Sequence, residues 1–441
     1  VYTSGTTGAP KGVMLTHSNL WWTCRHTEKI FAGKTTNART VSYLPLSHIA
    51  ERMLSHLLQI YYGMQTWFAE SLDTVADDIK ACQPTYFFAV PRVWEKFHAG
   101  IETRLSEAGP DDRKTKLALK AIEVGRRVSE AEQAAIAAGG QLRDAKIPVG
   151  DKLRHALLDK LVLSRIRDAL GLGKCNLPAS ASAPMHEELM WFWHSIGVKI
   201  VEGYGQSEDN GPTTFNLPDS PRIGSVGRPL DGVQVKIAED GEILVKGGNV
   251  TPGYYKDEQA SRELFDPDGW MRSGDIGDLD ELGFLKITDR KKDIIITAAG
   301  KNIAPQEIEG AIQSHSLISQ VVVLGDRRPF LTALVTLDVD RARAWGTDFG
   351  IGPDIAGIAK HERTLKELEA AVNDVNKSRA RAEGIRKIRV LDRDFLQEHN
   401  EITPTMKVKR RRIAELYVDI IEEMYAPGTP ETAAVEAPTT T

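Results

Sequence analysis

Cysteine is scarce in this chain: Cys24, Cys82 and Cys175 are the only three among 441 residues. They lie far apart and lack the spacing of metal ligands, which argues against a disulfide framework and against a zinc site. So few dispersed thiols suit a reducing compartment. We therefore expect a cytoplasmic protein.

Long apolar runs and a strong net charge are also absent. No run reaches the roughly 18 apolar residues that a membrane-spanning helix needs, and no segment resembles a signal peptide. The net charge of −5 gives no reason to expect a nucleic acid partner. The composition, 41% hydrophobic and 27% charged, is typical of globular proteins. The length suits about three units of ordinary domain size.

An initiator methionine is missing too. The chain opens with Val1, Tyr2 and Thr3 and enters a glycine-rich motif at once, without a strand or helix before it. We therefore expect a fragment that lacks its true start.

The glycine-rich motif TSGTTGAPKG occupies residues 3–12. Glycines let the backbone approach a ligand, hydroxyl and N–H groups can surround phosphate oxygens, and Lys11 adds a positive charge. This composition predicts a polyphosphate-binding loop; the alternative is a flexible polar turn. It is not a Walker A loop, because Pro10 stands where the second glycine is required. The residues expected to face phosphate are Thr3, Ser4, Gly5, Thr6, Thr7, Gly8 and Lys11.

A second motif follows the predicted strand 198–201 and reads EGYGQSE, residues 202–208. Glycines on both sides of Tyr204 favour a flat surface suited to a planar ring, and Glu208 offers a hard oxygen ligand for Mg²⁺. The motif fails the G-x-G-x-x-G pattern because Glu208 stands at the third glycine. A dinucleotide-binding fold is therefore not supported.

His48 lies where a predicted strand ends at Pro45 and a helical pattern begins over residues 49–62. Strand-to-helix junctions of α/β sheets commonly carry ligand-facing residues. The alternative is an ordinary polar residue.

Residues 100–170 are almost wholly helical in pattern, with amphipathic helices that expose a basic face. Two interpretations stay open. The segment is an insertion that covers the main domain, or its basic face contacts a membrane surface or a partner.

The stretch 273–309 predicts a domain boundary. A hairpin ends at Thr288, and five charged residues, 289–293, lead to a strand and a helix that starts near Pro305. Because unpaired charges are rarely buried, we expect the pentad to be an exposed connector, with a solvated loop as the alternative. The predicted fold is α/β, with a large domain at 1–288, a small α+β domain at 289–425 and a disordered tail at 426–441.

Three separated segments together resemble the adenylate-forming superfamily, which includes acyl-CoA synthetases, firefly luciferase and the adenylation domains of peptide synthetases. They are the glycine-rich loop, the EGYGQSE motif and residues 273–309. YLPLSHIAERM at 43–53, GDRRPFLTALV at 325–335 and ITPTMKVKR at 402–410 resemble the long-chain fatty-acid CoA ligase branch. The resemblance covers the chain up to its tail.

The resemblance implies ATP-dependent activation of a long-chain fatty acid to acyl-AMP, followed by thioester formation with coenzyme A. It implies ATP, Mg²⁺ and coenzyme A as cofactors and a possible peripheral contact with a membrane. Two alternatives remain open: an acyl-AMP ligase that loads a carrier protein, and an inactive nucleotide-binding fragment. In either ligase, positioning and charge neutralisation would carry the first step.

Residue roles follow from the same resemblance. Tyr204 would stack on adenine, Glu208 would bind Mg²⁺, and Asp275 would accept both ribose hydroxyls. Lys407 would bridge the carboxylate and the α-phosphate. Further nucleotide-binding residues would be Ser182, Ala183, Gly203, Gly205, Gln206, Ser207 and Arg290.

Other roles implied by the resemblance concern the second step. His48 would belong to the acyl pocket, Asp289 would be the hinge, and Gly300 and Lys301 would face coenzyme A. One departure is the loop ASASAP at 179–184, which carries side chains where the family has glycines. That departure affects the expected chain-length preference.

Overall fold

The computed structural model describes residues 1–3, 10–31, 37–71, 74–107, 109, 111–403 and 407–438. Its contacts divide the chain into two compact units. The first comprises Val1–Ser273 and Gly277–Ile287, and the second Gly274–Ile276 and Thr288–Thr441. The predicted α/β class, with a large sheet-and-helix domain and a smaller one, is confirmed.

The short segment Gly274–Ile276 belongs to the second unit because of its hydrogen bonds. Lys291 N donates to Gly274 O at 2.9 Å, and Thr288 Oγ1 donates to Ile276 O at 3.3 Å. The sequence-based boundary, placed only after Thr288, did not anticipate this segment.

The helices of the first unit include a long pair that begins the region predicted to be helical. They are α1 His17–His26, α2 Glu28–Phe31, α3 Ile49–Glu51, α4 Leu58–Tyr62, α5 Val75–Cys82, α6 Pro91–Glu107, α7 Arg113–Ala137, α8 Val149–Leu158, α9 Ser164–Ala169, α10 Glu187–Ser195 and α11 Glu258–Glu263. A wide π-helical turn, Asp159–Leu163, joins α8 to α9.

The strands of the first unit are short, and the last two pass into the second unit. They are β1 Tyr2–Thr3, β2 Lys11–Gly12, β3 Arg39–Ser42, β4 Gln65–Phe68, β5 Tyr86–Ala89, β6 Leu177–Ser180, β7 Val201–Tyr204, β8 Thr214–Phe215, β9 Arg228–Pro229, β10 Gln234–Ile237, β11 Glu242–Lys246, β12 Met271–Leu279 and β13 Leu285–Arg290.

A five-stranded sheet in the order β5-β6-β7-β8-β9 organises the first unit. β5, β6 and β7 run parallel, whereas β8 and β9 are antiparallel additions. Every residue of the three parallel strands is buried. Parallel strands are covered on both faces, which explains why these segments show no alternation of polar and apolar residues.

Aromatic packing joins this sheet to the helices. The ring of Trp94 on α6 lies 5.1 Å from the ring of Trp193 on α10 and 5.5 Å from Phe87 on β5, both edge to face. Trp94 and Trp193 are fully buried. Such pairs add to the free energy that burial of the rings already contributes.

The second unit consists of a sheet with helices. Its elements are β14 Ile295–Ile296, β15 Asn302–Ile303, α12 Pro305–Gln313, β16 Ile318–Leu324, β17 Leu331–Leu337, α13 Val339–Asp348, α14 Ile355–Lys360, α15 Glu362–Lys377, β18 Ile385–Leu391, α16 Arg410–Leu416, α17 Val418–Tyr425 and β19 Thr432–Val435. Its main sheet has the order β16-β17-β18-β19. β17 is wholly buried at the centre.

The prediction of a disordered tail is wrong for residues 426–438. β19 pairs in parallel with β18, and Ile388 N donates to Glu431 O at 2.8 Å. Composition favoured disorder, but the edge of β18 presents N–H and C=O groups that an extended segment can pair with. Residues 439–441 lie outside the described part of the chain.

We predict opposite effects for two glycine-to-alanine substitutions in helices of the first unit. A Cβ on Gly125 of α7 would lie 1.9 Å from Ser195 O, so Gly125→Ala must push α7 from α10 and should cost about 1–3 kcal/mol of unfolding free energy. Gly100→Ala on α6 meets nothing within 4 Å and should stabilise by about 0.5–1 kcal/mol. Urea unfolding measures both; equal effects would contradict the packing of α7 on α10.

Candidate functional site

The loops that follow β6 and β7 begin at one edge of the sheet. Ala179 pairs with Val201 and Ser180 with Glu202, in parallel. Neighbouring parallel strands end at the same edge, where α/β proteins bind ligands. The predicted adenine-binding segments, residues 182–183 and 203–208, therefore start side by side.

Ser182 has a left-handed backbone, with φ of +76°. This conformation is unfavourable for a residue with a Cβ, and glycine adopts it without cost. The loop ASASAP thus carries a side chain at a position where the backbone favours glycine. Ser182 and Ala183 are both half-buried. Their predicted contact with adenine stays a prediction.

Gly203 and Gly205 are required by the protein's own packing. A Cβ on Gly203 would lie 2.4 Å from Phe215 Cδ2, and a Cβ on Gly205 would lie 1.6 Å from Gly211 O. The sequence-based explanation, a flat surface for a planar ring, was incomplete because the neighbours of β7 leave no room for a side chain at either glycine.

Tyr204 is buried at the end of β7 and its hydroxyl is bonded. Gln206 Nε2 donates to Tyr204 Oη at 3.1 Å and to Ser273 O at 3.0 Å. The backbone N–H of Gln206 donates to Asp209 Oδ1 at 2.7 Å, which orders the 3₁₀ turn Ser207–Asp209. The arrangement holds the phenol ring in one orientation, whereas its stacking on adenine stays a prediction.

Glu208 is buried and bonded to a residue that the sequence reading passed over. Tyr254 Oη donates to Glu208 Oε1 at 2.9 Å. Lys11 Nζ lies 5.0 Å from the centre of the Tyr254 ring, within the range of a cation–π contact. Burial, and next the neighbouring Glu208, raise the pKa of Tyr254, so its hydroxyl remains a donor. The structure thus joins Lys11 and Glu208 through Tyr254.

A two-stranded ribbon holds both ends of the predicted phosphate loop. Thr3 and Lys11 are paired across β1 and β2, and Tyr255 N donates to Gly12 O at 2.7 Å. The ribbon is therefore anchored to the segment that carries Tyr254. Ser4, Gly5, Thr6, Thr7 and Gly8 lie outside the described residues.

His48 is the N-cap of α3. Its Nδ1 accepts a hydrogen bond from Ala50 N at 3.2 Å, and the side chain is half-buried. This bond stabilises the start of the helix. The proposed place of His48 in an acyl pocket stays a prediction.

The second unit brings three predicted charged residues together. Arg290 Nε lies 3.1 Å from Asp275 Oδ1, and Asp275 is buried. The pKa of Lys407 is lowered to about 8, first by burial and next by the Arg290 cation, while Asp275 acts in the opposite direction. Lys407 N donates a hydrogen bond to Thr403 Oγ1 at 3.0 Å. The chain therefore places a lysine of lowered pKa near an arginine–carboxylate pair.

The expectation of an exposed pentad is wrong for Asp289. This residue is fully buried in β13, which continues to Arg290, while 290–292 are exposed. Asp289 Oδ1 accepts from Arg290 N at 2.6 Å, and Oδ2 accepts from Gln306 N, at the start of α12, at 3.2 Å. Backbone N–H groups at a helix start offset part of the cost of burying a carboxylate.

Burial raises the pKa of Asp289 to about 6. The two backbone N–H groups and Arg410 oppose this shift, whereas Glu309 adds to it. Arg410 Nη2 also pairs with Glu309 Oε2 at 2.7 Å. Asp289 therefore belongs to a buried charge network, and its role as a hinge stays a prediction.

Gly300 and Lys301 lie in the turn between β14 and β15. Gly300 has φ of +77°, which suits glycine, and Lys301 Nζ lies 2.9 Å from Glu383 Oε1. Their predicted orientation toward coenzyme A stays a prediction.

A metal ion at this site would take most of its ligands from the bound nucleotide and not from the protein. Within the described residues no group of three or more His, Cys, Asp or Glu side chains could hold a metal ion. Glu208 is a single buried carboxylate, and Mg²⁺ in nucleotide enzymes is commonly held by one or two carboxylates plus phosphate oxygens and water. The donor set fits Mg²⁺ bound together with a polyphosphate.

Family models match most of the chain. The model of the AMP-binding enzyme family matches residues 1–255, and that of the AMP-binding enzyme C-terminal domain matches residues 292–428. The chain is 38% identical over 432 residues to the long-chain-fatty-acid–CoA ligase FadD15 of Mycobacterium bovis, covering 96% of this chain and 68% of that protein. It is 36% identical to the long-chain-fatty-acid–CoA ligase ACSBG2 of Xenopus laevis, covering 98% and 60%. The resemblance noted from the sequence motifs is confirmed.

Solved structures share the fold at low identity. O-succinylbenzoate coenzyme A synthetase of Bacillus subtilis, in complex with AMP, is 22% identical with a TM-score of 0.62, covering 98% of this chain and 69% of that one. ATP-bound MatB of Rhodopseudomonas palustris is 22% identical with a TM-score of 0.65, covering 95% and 68%.

We predict that Lys407 loses its proton near pH 8. Acetic anhydride modifies neutral amines, so labelling of Lys407, followed by mass spectrometry, should rise through that pH. Arg290→Gln should move the rise to higher pH because it removes a neighbouring cation. Asp275→Asn should move it to lower pH.

Lys366 provides the internal reference, since its bond to Glu362 raises its pKa. If the labelling of Lys407 rises in parallel with that of Lys366 at every pH, the lowered pKa of Lys407 is contradicted. If Arg290→Gln leaves the pH of the rise unchanged, the effect of the Arg290 cation on Lys407 is contradicted.

Proposed function

Because this chain belongs to the AMP-binding enzyme family, we propose that it is an ATP-dependent long-chain fatty acid–CoA ligase. The observation that carries the proposal is the contact series from Lys11 through Tyr254 to Glu208. It connects the stem of a glycine-rich loop with a buried carboxylate that follows β7. A cation and a carboxylate so arranged suit a polyphosphate and its Mg²⁺.

In the first step, a fatty acid carboxylate oxygen attacks the α-phosphorus of ATP. An oxygen–phosphorus bond forms, the bond to the β-phosphate bridge breaks, and pyrophosphate leaves with the electron pair. We propose that Lys11 and the loop before it bind the β- and γ-phosphates and that Glu208 holds Mg²⁺, which would neutralise phosphate charge. Positioning and charge neutralisation are the main sources of rate in such transfers.

Lys407 is the proposed source of positive charge at the α-phosphate. Arg290 Nε lies 3.1 Å from Asp275 Oδ1, and we propose that this carboxylate accepts the ribose hydroxyls. A lysine whose pKa is about 8 carries its proton in most molecules at neutral pH. Its ammonium group would stabilise the charge that develops on the pentavalent phosphorus.

In the second step, the thiolate of coenzyme A attacks the carbonyl carbon of acyl-AMP. A carbon–sulfur bond forms, the carbon–oxygen bond to AMP breaks, and AMP leaves. We propose that the backbone of Asp289 rotates between the steps and that the turn with Gly300 and Lys301 then faces coenzyme A. Short element-terminal segments are the usual places for such rotations.

The proposal predicts that the protein, given ATP, Mg²⁺ and a fatty acid, releases pyrophosphate and, with coenzyme A, forms AMP and acyl-CoA. Lys407→Ala should slow acyl-AMP formation by about 10²–10³. Thioester formation from supplied acyl-AMP should largely survive. Pyrophosphate release and acyl-CoA, measured separately over acids of increasing chain length, report the two steps.

Lys409→Ala is the matched control, since Lys409 Nζ bonds to Asn400 Oδ1 and is assigned no part in catalysis. It should keep both activities. Acyl-AMP that accumulates without any use of coenzyme A would favour a ligase that loads a carrier protein. Equal loss of both steps in Lys407→Ala would remove this lysine from its proposed role.

For the hinge we predict that Asp289→Pro slows thioester formation from supplied acyl-AMP more than it slows adenylation, because proline restricts backbone rotation. Asp289→Asn keeps that rotation and alters the buried carboxylate alone. The two half-reactions and the thermal midpoint should be measured for both variants. If Asp289→Asn slows thioester formation as much as Asp289→Pro does, the effect comes from the charge network and the hinge hypothesis is refuted.

A further inference from the structure

An apolar stripe runs along the outside of the helix formed by α8, the wide turn and α9. Val149, Leu153, Leu157 and Leu161 recur every four residues and are 75%, 68%, 60% and 44% exposed. At 1.5 Å per residue the row extends for about 18 Å. We call these four residues the outer stripe.

The same helix also buries an apolar face. Leu158 and Leu163 belong to the core of the first unit, where Leu163 is fully buried. A surface helix normally has one apolar face directed to the core and a polar face directed to water. This helix has apolar residues on both sides, so the outer stripe is not explained by folding of the unit.

Two acidic residues of the helix, Asp151 and Asp159, pair with arginines, one on α7 and one on α9, whereas Asp168 near the end of α9 is exposed. Asp151 Oδ1 lies 3.2 Å from Arg127 Nη2, and Asp159 Oδ1 lies 2.6 Å from Arg167 Nη1. The exposed basic residues that flank the outer stripe are Lys146, Lys152, Arg154, Lys160 and Arg165. The outer face is therefore apolar along its centre and positive at its margins, although the whole chain carries a net charge of −5.

We propose that the outer stripe docks on the surface of a bilayer that contains anionic lipids, with the helix lying parallel to the membrane. An apolar stripe bordered by lysine and arginine is the pattern of interfacial helices, whose basic residues attract anionic headgroups while their apolar face enters the acyl boundary. Among the described residues no helix is long and apolar enough to cross a bilayer.

A lipid surface fits this face better than a protein does. A row about 18 Å long on a helix about 10 Å wide offers far less than the roughly 800 Å² per partner that a stable protein interface buries. Lysine is also depleted in protein interfaces relative to the rest of the surface. Lysine stems, by contrast, lie well at a membrane surface with the ammonium group among the headgroups.

This inference goes beyond the proposed ligase activity and stands independently of it. If the activity holds, the docked helix would keep the enzyme at the phase in which long-chain fatty acids dissolve.

Co-sedimentation with phosphatidylcholine vesicles, with and without phosphatidylglycerol, tests the proposal. The protein should bind the anionic vesicles, and salt should weaken the binding. The double variant Leu153→Ser with Leu157→Ser should bind at least tenfold more weakly, because it removes two apolar side chains from the stripe. Lys152→Glu with Lys160→Glu should lower binding by at least about 25-fold, as each lost positive charge near the surface accounts for roughly fivefold.

Matched controls change exposed aliphatic and lysine residues elsewhere. Val339→Ser with Val418→Ser alters two exposed valines, and Lys366→Glu with Lys377→Glu alters two exposed lysines, all in the second unit. Both control pairs should bind like the original protein. Because every substituted side chain is exposed, the thermal midpoints of all variants should agree.

A fluorescent probe locates the contact. Cys24 and Cys82 are buried and Cys175 is half-buried, so a polarity-sensitive dye on Leu153→Cys should label selectively. Its emission should shift to the blue when anionic vesicles are added, whereas the dye on Val418→Cys should not respond. Unchanged binding in the Leu153/Leu157 variant would overturn the proposal. A dimer in solution that this variant dissociates, without vesicle binding, would assign the stripe to a second copy of the chain instead.

Discussion

The close packing around β7 is the constraint on which the candidate site of the first unit depends. Gly203 and Gly205 leave no space for a Cβ because Phe215 and Gly211 lie against them. This packing places Tyr204 at the end of a buried strand and directs the following turn, with Glu208, toward Tyr254. Lys11 joins the group because its ribbon pairs with the segment that contains Tyr254. One buried strand thus determines where a ring, a carboxylate and a cation can lie.

The candidate site of the second unit depends on buried carboxylates that have hydrogen-bond or ion-pair partners. Arg290 bonds to the buried carboxylate of Asp275, and the same guanidinium helps to lower the pKa of Lys407. Asp289, its neighbour in the chain, is satisfied by two backbone N–H groups, one of them at the start of α12. Each of these charges would be costly alone in the interior. Asp289 is thus held by bonds within the unit, and the adjacent Arg290 supplies the cation that helps to lower the pKa of Lys407.

Two sequence-based expectations failed for the same physical reason. Partners that are distant in the chain lower the free-energy cost of burying a charged side chain or of ordering a segment. The pentad was expected to be exposed because five charges have no local partners, yet Asp289 finds N–H donors at Gln306. The tail was expected to be disordered from its composition, yet β18 offers a strand edge to Thr432–Val435. Tyr254 was overlooked because an aromatic residue outside a motif carries no local signal of its contact with Glu208.

What the sequence determined by itself was the class of fold and the family, and it supplied the candidate residues for the proposed chemistry. Glycine-rich loops, strand-to-turn junctions and a late lysine are local patterns, and their residue types follow directly from backbone freedom and charge. Only the tertiary structure decided which of these residues meet. It joined Lys11 to Glu208 through Tyr254, brought Arg290 and Asp275 near Lys407, and left the outer stripe of α8 and the following turn exposed. Contacts of this kind depend on long-range packing, which no local pattern encodes.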